Sequence, residues 1–286
     1  MELKKESVSG ADRSQWGRKV FFVAVDPVFL PEAYLEAFMA HGYECYSIHN
    51  DFSCPLKTKV SILLAQFPDA LLFFDTTARV DGVDWNSYLK QLQTDFGRTA
   101  VIGVFYDKQR SRAEKDALKA FFANEARLKG GCVGLEAGAA KNFERIERAL
   151  KKNNAAGRRT SVRAACDSES TVAFAYQAQT YHGSVTDVSI SHFACEIEDS
   201  ARTIPVYEKL HDMSFVINGE RFSSDAALIL RRSRPESSLC IFMFINKDGL
   251  PGLEDKALAK LSPMLYRVVT EKERAALQAA FKNSGR

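Results

Sequence analysis

The stretch FPDALLFFD, residues 67–75, decides the fold of the first half of the chain. Its apolar centre is continuous rather than alternating, which is typical of a strand that is buried on both faces of a parallel sheet. Each apolar run of this kind precedes a segment with helical periodicity. Parallel strands need crossover connections, so the pattern predicts a five-stranded parallel sheet covered by helices. The other four predicted strands are residues 19–25, 43–48, 99–106 and 131–135.

Local signals set the boundaries of the intervening helices. Asp84 stands where an N-cap is expected, and Ser111 with Glu114 forms a capping box, in which each side chain satisfies a free backbone amide. Pro31 suits a first helical turn. These signals and the periodicity predict helices at about 31–41, 56–66, 84–94, 111–128 and 139–152.

The second half changes to short segments rich in β-branched and aromatic residues, separated by turns such as Asn218-Gly219. Six such segments predict a small antiparallel β-barrel or sandwich, and we favour the barrel. A terminal helix is predicted to begin at Thr270, with Glu273 as its capping-box partner, and to end near Lys282. The predicted strands are residues 170–179, 184–190, 192–198, 214–219, 225–233 and 238–245.

Composition excludes several classes of protein. The chain is 46% hydrophobic and 26% charged, a composition typical of globular proteins. Its 286 residues are enough for two domains. No run approaches the ~20 apolar residues of a membrane helix, and the polar N-terminus lacks a secretory signal, so we expect a cytoplasmic protein without membrane insertion. The six cysteines form no CxxC pair and the five histidines lack metal-ligand spacing. We therefore expect neither a metal nor a cofactor.

Charge is concentrated rather than spread. The formal net charge is only +3, but eight basic residues lie between Lys141 and Arg163 against Glu144 and Glu147. Helix C-termini favour lysine and arginine, and the following segment reads as a basic linker that leads into an anion site. A sequence pI of 8.4 is modest for binding a nucleic acid polymer, and we do not expect one as a partner.

Over about residues 18–152, the order and length of the elements resemble the receiver domain of two-component response regulators. Asp75 lies where receivers carry their phosphoacceptor. Receivers also use two acids after strand one, a Thr or Ser after strand four and a Lys after strand five. This chain has Asp26 alone, then Tyr106, then Leu135-Glu136. We interpret the domain as a degenerate receiver that serves protein interaction, with phosphorylation at Asp75 as an alternative.

Two motifs in the second half resemble the signatures of PilZ domains. Arg159 and Arg163 fit the RxxxR signature, and the segment from Asp187 through Ser189 to His192 fits [DN]xSxxG, with His192 in place of the glycine. The family places the arginines in a flexible stretch before a barrel and the second motif on a barrel strand. The resemblance covers about residues 156–282.

PilZ domains are receptors for the second messenger cyclic di-GMP, and the resemblance implies this ligand here. It implies that Arg159 and Arg163, aided by Arg158, clamp phosphates and guanine edges, because the guanidinium fork pairs bidentately with both. Asp187 would accept from a guanine, and Ser189 would contact a phosphate or a guanine edge. His192 would either obstruct the pocket or stack on a guanine.

The resulting hypothesis is a receptor without catalytic activity that signals to an unidentified protein partner through domain rearrangement. The alternatives are a PilZ scaffold that has lost nucleotide binding, and a response regulator phosphorylated at Asp75. An enzyme is not expected, because no nucleophile–base pair or phosphate-binding glycine loop is present. The predicted domains are residues 18–152, a linker 153–163, and residues 164–286.

Overall fold

The computed structural model describes residues 17–51, 54–156, 161–198, 203–235 and 237–284. Arg158 and Arg159, two of the predicted ligand contacts, lie outside the described residues. The described residues of Met1–Thr160 with Arg274–Arg286 form one compact unit, and those of Ser161–Glu273 form the other.

The first unit contains a parallel sheet, as predicted. Its strand order is β2-β1-β3-β4-β5, which is the flavodoxin-like arrangement with helices on both faces. The central strands are fully buried, and this explains their uninterrupted apolar sequences. The strands are β1 (Val20–Val23), β2 (Cys45–Ile48), β3 (Leu71–Asp75), β4 (Val101–Asp107) and β5 (Gly131–Leu135).

The helices of this unit begin at the predicted caps. Asp84 accepts a hydrogen bond from the Ser87 amide at 3.2 Å, and both halves of the Ser111–Glu114 capping box are formed. The fourth predicted helix differs, because its α-helical part ends at Ala120 and continues as a π-helical turn that buries Phe122. The helices are α1 (Glu32–Ala40), α2 (Leu56–Gln66), α3 (Trp85–Phe96), α4 (Arg112–Ala120, then the π turn Phe121–Glu125) and α5 (Lys141–Lys152).

Aromatic stacking fills the centre of this sheet. The rings of Phe73 and Phe105 are parallel within 3° at 4.9 Å, and Phe22 stacks on Phe105 at 5.8 Å. Gly103 lies beneath Phe73, where a Cβ would come within 2.5 Å of the ring. A larger residue at 103 would therefore displace the stack.

The second unit is a closed antiparallel barrel, as predicted. Its six strands follow the order β8-β7-β10-β11-β12-β9, and β9 pairs back onto β8. The short β6 adds to β8. Closure leaves no long free edge and distinguishes the barrel from a sandwich. The strands are β6 (Ala164–Ala165), β7 (Thr171–Tyr176), β8 (Gln179–Val188), β9 (His192–Glu198), β10 (Lys209–Ile217), β11 (Glu220–Ser233) and β12 (Ser237–Ile245).

The predicted strand 170–179 is wrong at its end, because the chain turns at Gln177 and Ala178. Both residues have left-handed backbone angles, with φ of 48° and 63°. Two positive φ values define the tight hairpin turn whose twist suits antiparallel strands. The same geometry occurs at Asn218-Gly219, where the sequence predicted it. The turn at Gln177 and Ala178 contains neither glycine nor asparagine, so no sequence pattern predicted it.

The terminal helix α6 (Asp255–Ser284) begins well before the predicted start at Thr270. Thr270 is interior to the helix, and its hydroxyl donates to the Tyr266 carbonyl at 2.6 Å rather than capping a first turn. Leu261 and Met264 are buried in the barrel core. Their burial stabilises the helix across Pro263, a residue that removes one backbone hydrogen bond from a helix interior.

Candidate functional site

The motif from Asp187 to His192 forms the tight connection between β8 and β9. Ser189 is 1% exposed, and its amide donates to the His192 carbonyl at 2.8 Å. Its hydroxyl accepts from the His192 amide at 3.1 Å and donates to the His192 carbonyl at 3.1 Å. Ser189 therefore shapes the turn, and its buried hydroxyl is already occupied by backbone groups.

Arg163 and Asp187 lie together at the start of the barrel. β6 pairs with β8 in a register that sets Ala165 opposite Asp187, and this brings the preceding arginine to the carboxylate. Arg163 Nη1 lies 3.2 Å from Asp187 Oδ1, and both side chains remain about one-third exposed. Such an ion pair contributes about 0–1 kcal/mol, so it is easily exchanged for another partner.

Two serines that the sequence did not single out join these motifs. Ser191 Oγ lies 3.2 Å from Ser161 Oγ and 2.8 Å from His192 Nδ1. Ser161 is 7% exposed, although it belongs to the arginine-rich segment. The network therefore holds the end of this segment against the β8–β9 turn. No sequence signal identified these serines, because both occupy unspecified positions of the two motifs.

His192 occupies the position of the motif glycine without backbone strain. It has no positive φ, and its backbone pairs with Met243 of β12. Burial, followed by the charge of Arg163, lowers the pKa of His192 below its ordinary value of 6.5. The imidazole is therefore neutral at pH 7, half-buried, and close enough to Arg163 to sense its charge.

Asp75 lies at the carboxyl end of β3, where the alternative function requires it. The side chain is 2% exposed, and its Oδ1 accepts from the Thr77 amide at 2.9 Å and from the Thr77 hydroxyl at 2.6 Å. Its Oδ2 has no hydrogen-bond partner. Burial raises the pKa of Asp75, the bonds from Thr77 oppose the rise, and the nearby charge of Asp26 adds to it.

The residues that follow β4 and β5 do not supply the missing phosphorylation machinery. Tyr106 is nearly buried at the end of β4. Glu136, after β5, is an acid where receivers have a lysine, and it pairs with Lys108 at 2.6 Å and with Arg145 at 3.0 Å. A buried tyrosine and a paired acid therefore occupy the positions after β4 and β5, and the interpretation as a degenerate receiver stays a prediction.

Within the described ranges, no group of three or more His, Cys, Asp or Glu side chains is arranged to hold a metal ion. Burial raises the thiol pKa of Cys132 and of Cys240 to about 11, so these thiols are protonated at neutral pH. No described helix has both the length and the apolar character needed to cross a bilayer.

No protein-family model and no curated protein sequence matches the chain. Among solved structures, the chain is similar to the PilZ domain with c-di-GMP of YcgR from Escherichia coli, at 17% identity and a TM-score of 0.32, covering 43% of this chain and 97% of that one. It is also similar to the K. pneumonia MrkH–c-di-GMP complex, at 11% identity and a TM-score of 0.36, covering 42% and 56% of the two chains. A third match is the Bacillus subtilis inhibitor of motility MotI/DgrA, at 13% identity and a TM-score of 0.32, covering 49% and 58%.

The second unit is a closed six-stranded barrel with an arginine before it and an Asp-x-Ser turn between two of its strands, in the order that the two sequence motifs predicted. The likeness spans little more than half of the MrkH and MotI chains.

Proposed function

We propose that the chain is a receptor for cyclic di-GMP, which binds at the Arg163–Asp187 pair beside the β8–β9 turn. The observation that supports this most directly is the 3.2 Å contact between these two residues, one from each motif. Both are partly exposed, and they present a bidentate donor next to a carboxylate acceptor.

These two groups match the chemistry of the ligand. A guanidinium can pair with two phosphate oxygens or with guanine O6 and N7, and a carboxylate can accept from the guanine N1–H and 2-amino groups. In the free protein, Arg163 and Asp187 satisfy each other. Binding would replace one weak, exposed ion pair with charge-assisted contacts to the ligand. Because that ion pair contributes little to folding stability, its loss opposes binding only slightly.

We include Arg158 and Arg159 among the ligand contacts because of the sequence motif alone. Contacts of these two arginines with the ligand would change the relation of the two domains and so signal to a protein partner. The Ser161–Ser191 hydrogen bond supports this route, because it ties the end of the segment to the same turn that carries Asp187.

Isothermal titration calorimetry of the full chain tests the proposal. We expect heat of binding for cyclic di-GMP, and none for GMP or GTP, at protein and ligand concentrations of ~100 μM, which detect binding free energies of about −5.5 kcal/mol or stronger. The matched control is Arg163→Ala, which should abolish or greatly weaken the signal. Absence of heat for cyclic di-GMP in the parent protein contradicts the proposal.

A scaffold that acts through protein contacts alone is the second candidate, and His192 favours it. The imidazole adds a ring next to Arg163 where the family motif has no side chain. Phosphorylation at Asp75 is less well supported, because the carboxylate is buried and Glu136 stands where the motif needs a lysine.

A further inference from the structure

The first unit carries a cavity of about 310 Å³ beside β5, which is the edge strand of its sheet. Residues 132–134 of β5 form one wall, and Arg145, Arg148 and Lys152 of α5 form another. Lys108, directly after β4, also lines the cavity, together with Tyr106 and Ala149. Four cations therefore converge on one cavity, and none of the described residues that line it is acidic.

Helical geometry places three of these cations on one face. Arg145, Arg148 and Lys152 follow at spacings of three and four residues, so neighbouring charges lie about 5–6 Å apart at their Cβ atoms. Like charges at this spacing destabilise a helix by a few tenths of a kcal/mol per pair. The helix dipole favours Lys152 in the last turn. It explains neither Arg145 nor Lys108, which belongs to another element.

The charge is only partly neutralised within the protein. Glu136 pairs with Lys108 and Arg145, and these two cations lower its pKa. Arg148 and Lys152 make no ion pair within 4 Å to the described residues. Lys119 adds a fifth cation nearby, because its Nζ lies 5.8 Å from the centroid of the Tyr106 ring, and that ring also lines the cavity.

We propose that this cavity binds a small anion that carries phosphate groups. The two guanidinium forks and the lysines suit the several oxygens and the double charge of a phosphate. The volume lies at the lower end of the range for small-molecule sites, and it is large enough for a phosphate or a pyrophosphate group. All the lining residues belong to the first unit, so the site is independent of the proposed cyclic di-GMP site in the barrel.

Calorimetry with pyrophosphate and with inorganic phosphate tests the proposal, at an ionic strength held constant with sodium chloride. The test variant is the full chain with Arg148→Gln and Lys152→Gln together. The control carries Lys90→Gln and Lys256→Gln, exposed lysines that do not line the cavity, and has the same change in net charge. We expect the double variant to bind pyrophosphate at least about tenfold more weakly, and the control to stay within about twofold of the parent.

Two further measurements keep the outcome decisive. In 1H–15N spectra of the parent protein, pyrophosphate should shift the amide resonances of Cys132, Val133 and Gly134. This measurement does not depend on whether a variant folds. A hexaglutamate peptide at equal ionic strength should bind more weakly than pyrophosphate. Unshifted amides at 132–134, equal binding by the test variant, or tighter binding of hexaglutamate would each overturn the proposal, the last in favour of an acidic protein segment.

Discussion

Arg163 and Asp187 are separated by 24 positions in the sequence, yet Arg163 Nη1 lies 3.2 Å from Asp187 Oδ1. Two residues that the sequence predicted as ligand contacts are thus each other's partner in the free protein. A ligand at this site must compete with their pairing. The net gain from each contact is therefore smaller than for a solvated arginine, and Arg163 is not a free linker residue.

Arg163→Ala should weaken cyclic di-GMP binding by about ten- to a hundredfold. The loss should not reach the top of the range for a charge-assisted contact, because the parent protein gives up its Arg163–Asp187 ion pair when it binds the ligand. The free energy of unfolding should fall by no more than about 1 kcal/mol, since the pair is partly exposed. Arg163→Lys should recover little affinity, because an ammonium lacks the bidentate fork. Titration calorimetry and urea denaturation measure the two effects. If Arg163→Ala binds cyclic di-GMP as tightly as the parent protein, the receptor proposal is wrong. If its free energy of unfolding falls by much more than about 1 kcal/mol, the arginine stabilises the fold.

His192→Gly should tighten binding, because it removes a ring that lies close to Arg163 and that Ser191 holds in place at 2.8 Å. The backbone at this position does not require glycine, so the substitution should cost about 0.5–1 kcal/mol of stability through chain entropy. Ser191→Ala is the matched control, because it releases the ring without removing it. If the glycine variant binds more weakly in calorimetry, the imidazole stacks on the ligand instead.

Histidine titration provides a pH prediction. Folding lowers the pKa of His192 below 6.5. The folded protein is therefore more stable when this ring is neutral than when it is protonated. This contribution is present above pH 6.5 and is lost as the pH falls through the lower pKa of the folded protein. Nuclear magnetic resonance should show His192 titrating below 6.5, and Arg163→Ala should move its pKa upwards by removing a nearby positive charge. A midpoint at or above 6.5 in the parent protein would contradict the buried, neutral ring.

Asp75→Asn should stabilise the first unit at neutral pH. Folding raises the pKa of Asp75, mainly through burial, so the ionised carboxylate opposes folding. The penalty is absent below the ordinary value of 3.8, grows as the pH rises through the pKa of the folded protein, and is complete above it. Denaturation midpoints across this pH range should therefore separate the variant from the parent only at the higher pH values. Asp95→Asn, at an exposed position, is the control. A destabilised Asp75→Asn variant at pH 7.5 would show that the hydrogen bonds from Thr77 outweigh the cost of burying the carboxylate.

Asp75 should not accept a phosphoryl group from acetyl phosphate. Its carboxylate is buried, and Glu136, paired with Lys108 and Arg145, stands where a receiver supplies a lysine. Intact-mass spectrometry after incubation with acetyl phosphate and Mg²⁺ should show no added phosphate. A stable adduct that disappears in Asp75→Asn would establish the response-regulator alternative.

The sequence by itself determined the elements whose causes are local. Continuous apolar runs such as residues 71–75 specified buried parallel strands, and Asp84 and Ser111 marked helix starts because a cap satisfies amides only two or three residues away. These features depend on neighbours in the chain, so a pattern in one sequence is enough to find them.

Only the tertiary structure decided the features that join distant residues. Helix α6 extends back to Asp255 because the barrel core buries Leu261 and Met264, which outweighs the local effect of Pro263. The Arg163–Asp187 ion pair and the Ser161–Ser191 hydrogen bond follow from the addition of β6 to β8. Strand pairing carries no signature at the individual residues it brings together, since its register emerges from the packing of the whole barrel.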